Sequence, residues 1–253
     1  MDLGLAGKVA IVTGTNRMTA MGATIALTLA REGADVACVD IVQPGAEEVA
    51  QAIKGLGRRA IAVKADQSDH EQVKAAVAQI KAELGPPVVL VNNAAMMDPA
   101  ARIDKFPIDL FKTFIKIDID GPYYWIREVW SSMVEAKWGR IINIASIAGV
   151  QGSFGQVAYS SAKAGVIAMA KTAALEGARS GITANAVTLG VVDTKGTQQT
   201  GPQFDRIKQR IAMREFGNPQ DVANAVAFLV SDKASYITGQ DLHVMGGLDL
   251  FTF

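Results

Sequence analysis

The sequence has little with which to staple or metallate a fold. Its single cysteine, Cys38, lies in an apolar strand-like run, which excludes a disulfide scaffold. Its two histidines, His70 and His243, have no ligand-type neighbours at suitable spacing, so no catalytic metal is expected. An excess of charge of either sign is missing too: 25 basic residues balance 25 acidic ones. No basic tract or Arg/Lys stripe occurs, so a nucleic-acid partner is not expected. No apolar run reaches membrane-spanning length. The start Met1-Asp2-Leu3-Gly4-Leu5 has neither the basic region nor the apolar core of a signal peptide. Internal repeats, low-complexity tracts and linkers are also lacking. Together these absences lead us to expect a soluble protein of a reducing compartment, the cytoplasm.

What is present suits one large α/β domain. Half of the 253 residues are hydrophobic, enough for a sizeable core. Strand-like apolar runs fall at Val9–Thr13, Ala34–Val39, Ala60–Val63, Val88–Val91, Arg140–Ala145, Ile182–Val187 and Asp241–Val244. Helix-like segments lie between them at about 22–31, 45–55, 71–83, 109–136, 159–179 and 221–230. The long segment over 109–136 is expected to break or bend around Gly121-Pro122. Strand and helix in this rhythm predict a Rossmann-type, doubly wound parallel sheet covered on both faces.

In such sheets ligands bind beyond the carboxyl ends of the strands, where strand order reverses. After the first strand runs Thr13-Gly14-Thr15-Asn16-Arg17-Met18-Thr19-Ala20-Met21-Gly22. Small residues here would let the backbone approach a pyrophosphate, which the next helix N-terminus also attracts. An ordinary strand-to-helix turn fits the loop equally well. Asp40, ending the second strand, is placed to accept hydrogen bonds from an adenosine ribose. It would repel a 2′-phosphate, so NAD is expected over NADP; Arg17, a guanidinium in the loop, argues the other way. Asp66 ends the third strand and could contact adenine, and Asn92-Asn93-Ala94-Ala95 forms a polar turn after the fourth.

The strongest chemical signal is Tyr159-Ser-Ser-Ala-Lys163, with Ser146 upstream at the end of the fifth strand. Positions i and i+4 share a helix face. An ammonium beside a phenol favours phenolate and would lower its pKa towards working pH. Such a tyrosine can pass a proton to or from a substrate oxygen. A chance Tyr-x-x-x-Lys has a probability of about one in four in a chain of this composition, so the pair alone could be a helix-surface contact. Its setting makes it an alcohol/carbonyl site.

Taken with Asn185-Ala186-Val187 and Thr238-Gly239-Gln240…Gly246-Gly247, these motifs resemble the short-chain dehydrogenase/reductase family over nearly the full length. The resemblance implies reversible hydride transfer between a nicotinamide and a secondary alcohol or ketone. Tyr159 would be the general acid/base, Ser146 would hydrogen-bond the substrate oxygen, and Lys163 would tune Tyr159 and bind the nicotinamide ribose. Cofactor contacts are implied at Gly14, Asn16, Arg17, Met21 and Gly22, at Asp40 and Ile41, at Asp66 and Gln67, at Asn93 and Ala94, and at Val192 and Thr194. Met96, Met97, Gln151 and Phe154 would surround the substrate. The segment from Lys195 to Arg214 would form a polar, glycine-flanked lid. Relatives are commonly tetramers, so a homotetramer is implied, with helices 109–136 and 159–179 at one interface. The apolar end Leu248–Phe253 would pack on a neighbouring subunit or close a pocket.

The chain departs from the family pattern at four places. The glycine loop is about two residues longer, with Ala20 for the middle glycine. Ala95 stands where the family has glycine, which makes a positive φ harder there. Leu189-Gly190 replaces Pro-Gly. Asp118 takes the place of a catalytic asparagine whose backbone carbonyl serves a proton relay. Its carboxylate would raise the pKa of Lys163 and shift the pH optimum. The competing expectations are an NADP-dependent carbonyl reductase, a halohydrin dehalogenase (disfavoured by Lys163 and Asp40), and a catalytically silent nucleotide-binding protein.

Overall fold

Strands with both faces buried need apolar residues at every position, and Val9–Thr13 (β1) and Asp35–Asp40 (β2) are buried throughout. In the computed structural model, which describes residues 2–97, 99–194 and 202–250, they sit within a seven-stranded parallel sheet. The other strands are Ala60–Lys64 (β3), Pro87–Asn92 (β4), Gly139–Ser146 (β5), Ile182–Leu189 (β6) and Asp241–Val244 (β7). Their spatial order is β3-β2-β1-β4-β5-β6-β7. Register runs unbroken from Gly139↔Ile182 to Ser146↔Leu189 between β5 and β6, which fixes Ser146 at the strand's last position.

The helices are α1 (Met21–Arg31), α2 (Gln43–Gly55), α3 (His70–Glu83), α4 (Ile108–Ile115), α5 (Gly121–Ala136), α6 (Ile147–Gln151), α7 (Val157–Gly177), α8 (Pro202–Arg210) and α9 (Pro219–Leu229). Alternation along the strands divides the core. Ala10, Val12, Val36 and Cys38 meet α1, α2 and α9 on one face, while Val9, Ile11, Ala37 and Val39 meet α3, α5 and α7 on the other. The sheet is therefore doubly wound, as the sequence predicts. Among the described residues no helix is long and apolar enough to cross a membrane.

The long helix over 109–136 is interrupted beside Gly121-Pro122, as expected, and the structure adds the form: a π turn over Lys116–Asp120 joins α4 to α5, closed by Gly121 N–H donating to the carbonyl of Lys116. Pro122 has no N–H to return to the carbonyl four residues back, that of Asp118, so the helix widens there. The short α6 was not anticipated; Ser146 caps it by accepting the Ala148 N–H at 3.2 Å. The expected lid is partly helical, because Pro202–Arg210 forms α8. Lys195–Gly201 lies outside the described residues, as does Phe251–Phe253 of the apolar end, whose Leu250 is exposed.

Candidate active site

Strand order reverses between β1 and β4, and a cleft of about 330 Å³ opens at their carboxyl ends. Gly14, Asn16, Asp40, Ile41, Asp66, Gln67, Ala94 and Met96 line it, together with Thr13, Val39, Ala65, Ala95, Ile117 and Trp125. Small side chains at Gly14, Ala65, Ala94 and Ala95 leave room for a flat ring, and two carboxylates offer acceptors for a diol or an amine. These residues fit the adenosine half of a dinucleotide. Asp40 is buried, and its Oδ1 accepts the Val42 N–H at 2.9 Å. Burial pushes its carboxyl up, against backbone donors from Val42, Ile41 and Thr15. Asp66 accepts the Ser68 N–H at 2.9 Å.

Several residues expected to touch a cofactor also build the cleft. Asn93 Nδ2 donates to the carbonyl of Thr13 at 2.8 Å and to that of Gly14 at 3.3 Å. Thr13 Oγ1 in turn accepts the N–H groups of Asn93 and Ala94, both at 3.0 Å. The ends of β1 and β4 are thus clamped by a reciprocal pair. Gln67 Nε2 similarly donates to the carbonyls of Ala94 at 3.1 Å and Ile117 at 2.8 Å, tying the end of β3 to the π turn. Gly14 adopts φ +79°, and a Cβ on it would stand 2.6 Å from Asn93 Nδ2.

The longer loop reaches sideways: a Cβ on Gly45 in α2 would lie 1.7 Å from the carbonyl oxygen of Asn16. Arg17 is exposed on this loop, whereas Met21 is buried at the start of α1 beside Gly22. Ala95 escapes the expected strain, since its φ is not positive. Val192 and Thr194 follow β6; Val192 forms a parallel bridge to Gly217, and Thr194 N–H donates to the Val192 carbonyl at 3.1 Å.

The second half of the site is assembled by β5 and α7. Ser146 ends β5, and it acts on the phenol of Tyr159 in the first turn of α7. One turn on, Lys163 is buried, donates to the carbonyl of Ile144 at 2.9 Å, and stands 5.6 Å from the centre of the Tyr159 ring. Gly149 makes the α6–α7 approach possible, because a Cβ on it would come within 2.6 Å of the backbone of Lys163. Two buried asparagines brace this side: Asn92, read from sequence only as part of a polar turn, and Asn143, not singled out there. Asn92 Nδ2 donates to Asn143 Oδ1 and Asn143 Nδ2 to the Val166 carbonyl, both at 2.9 Å. Their signal was a polar residue inside an otherwise apolar strand.

The electrostatics correct one expectation. Tyr159 is not lowered by Lys163; burial pushes its phenol up, the Ser146 hydrogen bond pulls it down, and Asp118 pushes it up further. Lys163 is itself lowered by burial, with Asp118 opposing. The expected influence of Asp118 on Lys163 thus has the right sign, but desolvation is larger. Asp118 is 1% exposed, its Oδ1 accepts the Met96 N–H at 2.8 Å, and burial raises its carboxyl to about 6 despite Lys163.

Tyr159 belongs to a small apolar cluster with Phe114, Ala148 and Ala158, walled by Met96, Phe106, Leu110 and Phe111, and of that wall only Met96 was anticipated. Met97 is 59% and Phe154 87% exposed, and Gln151 is exposed at the end of α6. Ala101 N–H donates to the Gly155 carbonyl at 2.8 Å, so the segment after β4 folds over the loop bearing Phe154.

A parallel sheet with this strand order, a cleft at its switch point, and a Ser-Tyr-Lys cluster beside it define a nucleotide-binding oxidoreductase fold. The family model described as enoyl-(acyl carrier protein) reductase matches residues 14–249. A 3-oxoacyl-(acyl-carrier-protein) reductase of Pseudomonas aeruginosa is 35% identical over 247 residues, 97% of this chain and 99% of that protein. Nodulation protein G of Azospirillum brasilense is 38% identical over 250 residues, 96% and 98% of the two chains. The crystal structure of a gluconate 5-dehydrogenase from Burkholderia cenocepacia, in complex with NADP and tartrate, is 28% identical with a TM-score of 0.92 and covers 99% of this chain and 98% of its own. The chain belongs to the short-chain dehydrogenase/reductase family. With its relatives it is placed among the NAD(P)-dependent oxidoreductases.

Proposed function

We infer that the protein is a carbonyl reductase that interconverts a ketone and a secondary alcohol. The observation that carries this reading is the convergence of Ser146, Tyr159 and Lys163 beside the cleft. A bound nicotinamide would supply the hydride to the carbonyl carbon or accept it in return. In reduction, the phenol of Tyr159 donates its proton to the carbonyl oxygen as negative charge develops there. The Ser146 hydroxyl donates a hydrogen bond to the same oxygen, and the buried ammonium of Lys163 provides fixed positive charge. A phenol held protonated by its burial suits the reductive direction, and the printed names of two relatives, a reductase and a dehydrogenase, support chemistry at a carbonyl or carbinol carbon. The apolar wall of Phe106, Leu110 and Phe111 favours an apolar substituent on one side of the carbonyl.

The NADP held by the gluconate 5-dehydrogenase supports NADP here, with Arg17 as an exposed guanidinium on the phosphate loop. Asp40 favours the second reading, NAD, because its carboxylate lines the cleft where a ribose 2′-substituent would lie. Binding of NADPH and NADH by fluorescence, followed by consumption of each with 3-oxoacyl thioesters, simple ketones and keto-sugars, tests both. Nucleotide binding without consumption of any member would leave a silent binding protein instead.

A homotetramer in the cytoplasm completes the proposal. Tyr123, Ile126, Arg127, Trp130, Met169 and Thr172 line a groove of about 310 Å³ on the outer face of α5 and α7, and Leu175 beside it is 83% exposed. A second copy of this apolar face would cover it. Mass in solution checks this, and a monomer at micromolar concentration would rule it out.

A further inference from the structure

Away from the cleft, the last strand carries a histidine set between two carboxylates. His243 in β7 has Asp249 Oδ2 at 2.7 Å from Nδ1 and Asp241 Oδ2 at 3.3 Å from Nε2. A neutral imidazole has one N–H and one lone pair, so only the imidazolium can donate to both. Asp241 is fixed within the sheet, where its other oxygen accepts the hydroxyl of Thr188 on β6. Asp249 belongs instead to the turn that follows β7. The elements packed on β7 are β6 and α9. β6 has no charged side chain, and the one in α9, Asp221, accepts the Asn218 N–H at its own helix start at 2.9 Å. The charges acting on the ring are those of Asp249 and Asp241.

The turn is wedged between two other segments. The Gly246 carbonyl accepts the Met213 N–H at 3.1 Å, just beyond α8. A Cβ on Gly246 would stand 2.9 Å from Ile211 Cγ2, and one on Gly247 would stand 2.8 Å from Ala212 Cβ. On the other side, a Cβ on Gly190 would lie 2.6 Å from Met245 Cβ, where β6 leads into the loop bearing Val192 and Thr194. We propose that His243 is a proton-operated latch: as an imidazolium it clips the 246–250 turn to β7 through Asp249, and the clipped turn holds the segment that follows α8. A neutral ring keeps one of its two bonds, without the charge that strengthens it. The two carboxylates then repel across the ring. Thr188 retains Asp241, so Asp249 and its turn give way. The bond to Asp249 pushes the imidazole above its ordinary 6.5, and Asp241 adds to this against partial burial. The latch is therefore closed below that ordinary value and opens as pH rises through the higher, folded-state midpoint.

The chain has two histidines, so NMR of protein labelled at the histidine rings tests this directly. His243→Gln identifies the His243 signal by removing it. Asp249→Asn should lower the His243 midpoint by about half a unit or more. Protection of the Met213 amide from hydrogen exchange, corrected for the intrinsic rate at each pH, should fall several-fold as the wild type passes through the His243 midpoint. The same amide should show no such step in His243→Gln. A midpoint unmoved by Asp249→Asn, or a step that persists in His243→Gln, overturns the latch. Should either variant fail to fold, the wild type alone decides: Met213 protection that stays level through the His243 titration overturns it equally. None of these readouts needs turnover, so they stand apart from the assignment of the reaction.

Discussion

Ser146, the last residue of β5, acts on the phenol of Tyr159 in the first turn of α7 and pulls its pKa down. This relationship joins two elements that the chain connects only through α6 and a loop. Removing the phenolic oxygen should therefore remove the proton donor and misplace nothing else. Tyr159→Phe is expected to lower kcat by about 10²–10⁴-fold while nucleotide binding stays within a few-fold. Steady-state kinetics and a binding titration check this; a variant with near wild-type turnover would assign the proton to another group.

The Thr13–Asn93 clamp is a structural element of the cofactor cleft. Asn93→Ala removes donors to the carbonyls of Thr13 and Gly14, and the loss of satisfied buried groups costs about 1–3 kcal/mol. For a domain of this size that lowers Tm by about 2–4 °C per kcal/mol. Nucleotide affinity should fall as well, because Gly14 lines the cleft. An unchanged melting curve would show that the clamp bears no weight.

On the NAD reading, Asp40 would select between the two nicotinamide cofactors. Near a protein surface two unit charges at about 4 Å interact by about 4 kcal/mol, enough to select against a 2′-phosphate while the carboxylate is ionised. Asp40→Ala should raise affinity for NADPH relative to NADH by tenfold or more. Because burial raises the Asp40 carboxyl, its effect against NADPH should also weaken as pH falls and the group takes up a proton. Equal ratios in both proteins at every pH would remove Asp40 from the selection.

The sheet was legible in the sequence because strands buried on both faces leave unbroken apolar runs, as in Ile141-Ile142 and Val88–Val91. Ser146, Tyr159 and Lys163 were legible because strand end and helix spacing place them together without knowledge of packing. Asn92, Asn143 and Gly149 were not, since their roles depend on which strand and helix lie alongside, information held in tertiary contacts. Asn93 and Gln67 were read as ligand contacts, and their bonds to neighbouring carbonyls were not legible, because an amide at a strand end looks the same whether it faces a nucleotide or a carbonyl. The direction of Tyr159's shift was missed for a related reason: spacing reveals the ammonium, whereas burial of the phenol depends on tertiary packing.

Asp118 should carry a stability penalty that depends on pH. Its carboxyl titrates at about 6 in the folded protein against 3.8 for the unperturbed group. Between those values the folded state binds more protons than the unfolded chain, so stability falls as pH rises through that interval. Below it the carboxyl is neutral in both states and the penalty vanishes. A shift of about two units corresponds to a penalty of about 3 kcal/mol at neutral pH. Asp118→Asn, which cannot ionise, should therefore melt several degrees higher than the wild type at about pH 7.5, and the gap should close towards about pH 4. The attraction between Asp118 and Lys163 is already included in the raised value, since it opposes the burial that dominates. An asparagine variant that melts lower at neutral pH would mean that the attraction outweighs the burial, and that the carboxylate stabilises the fold as well as the lysine.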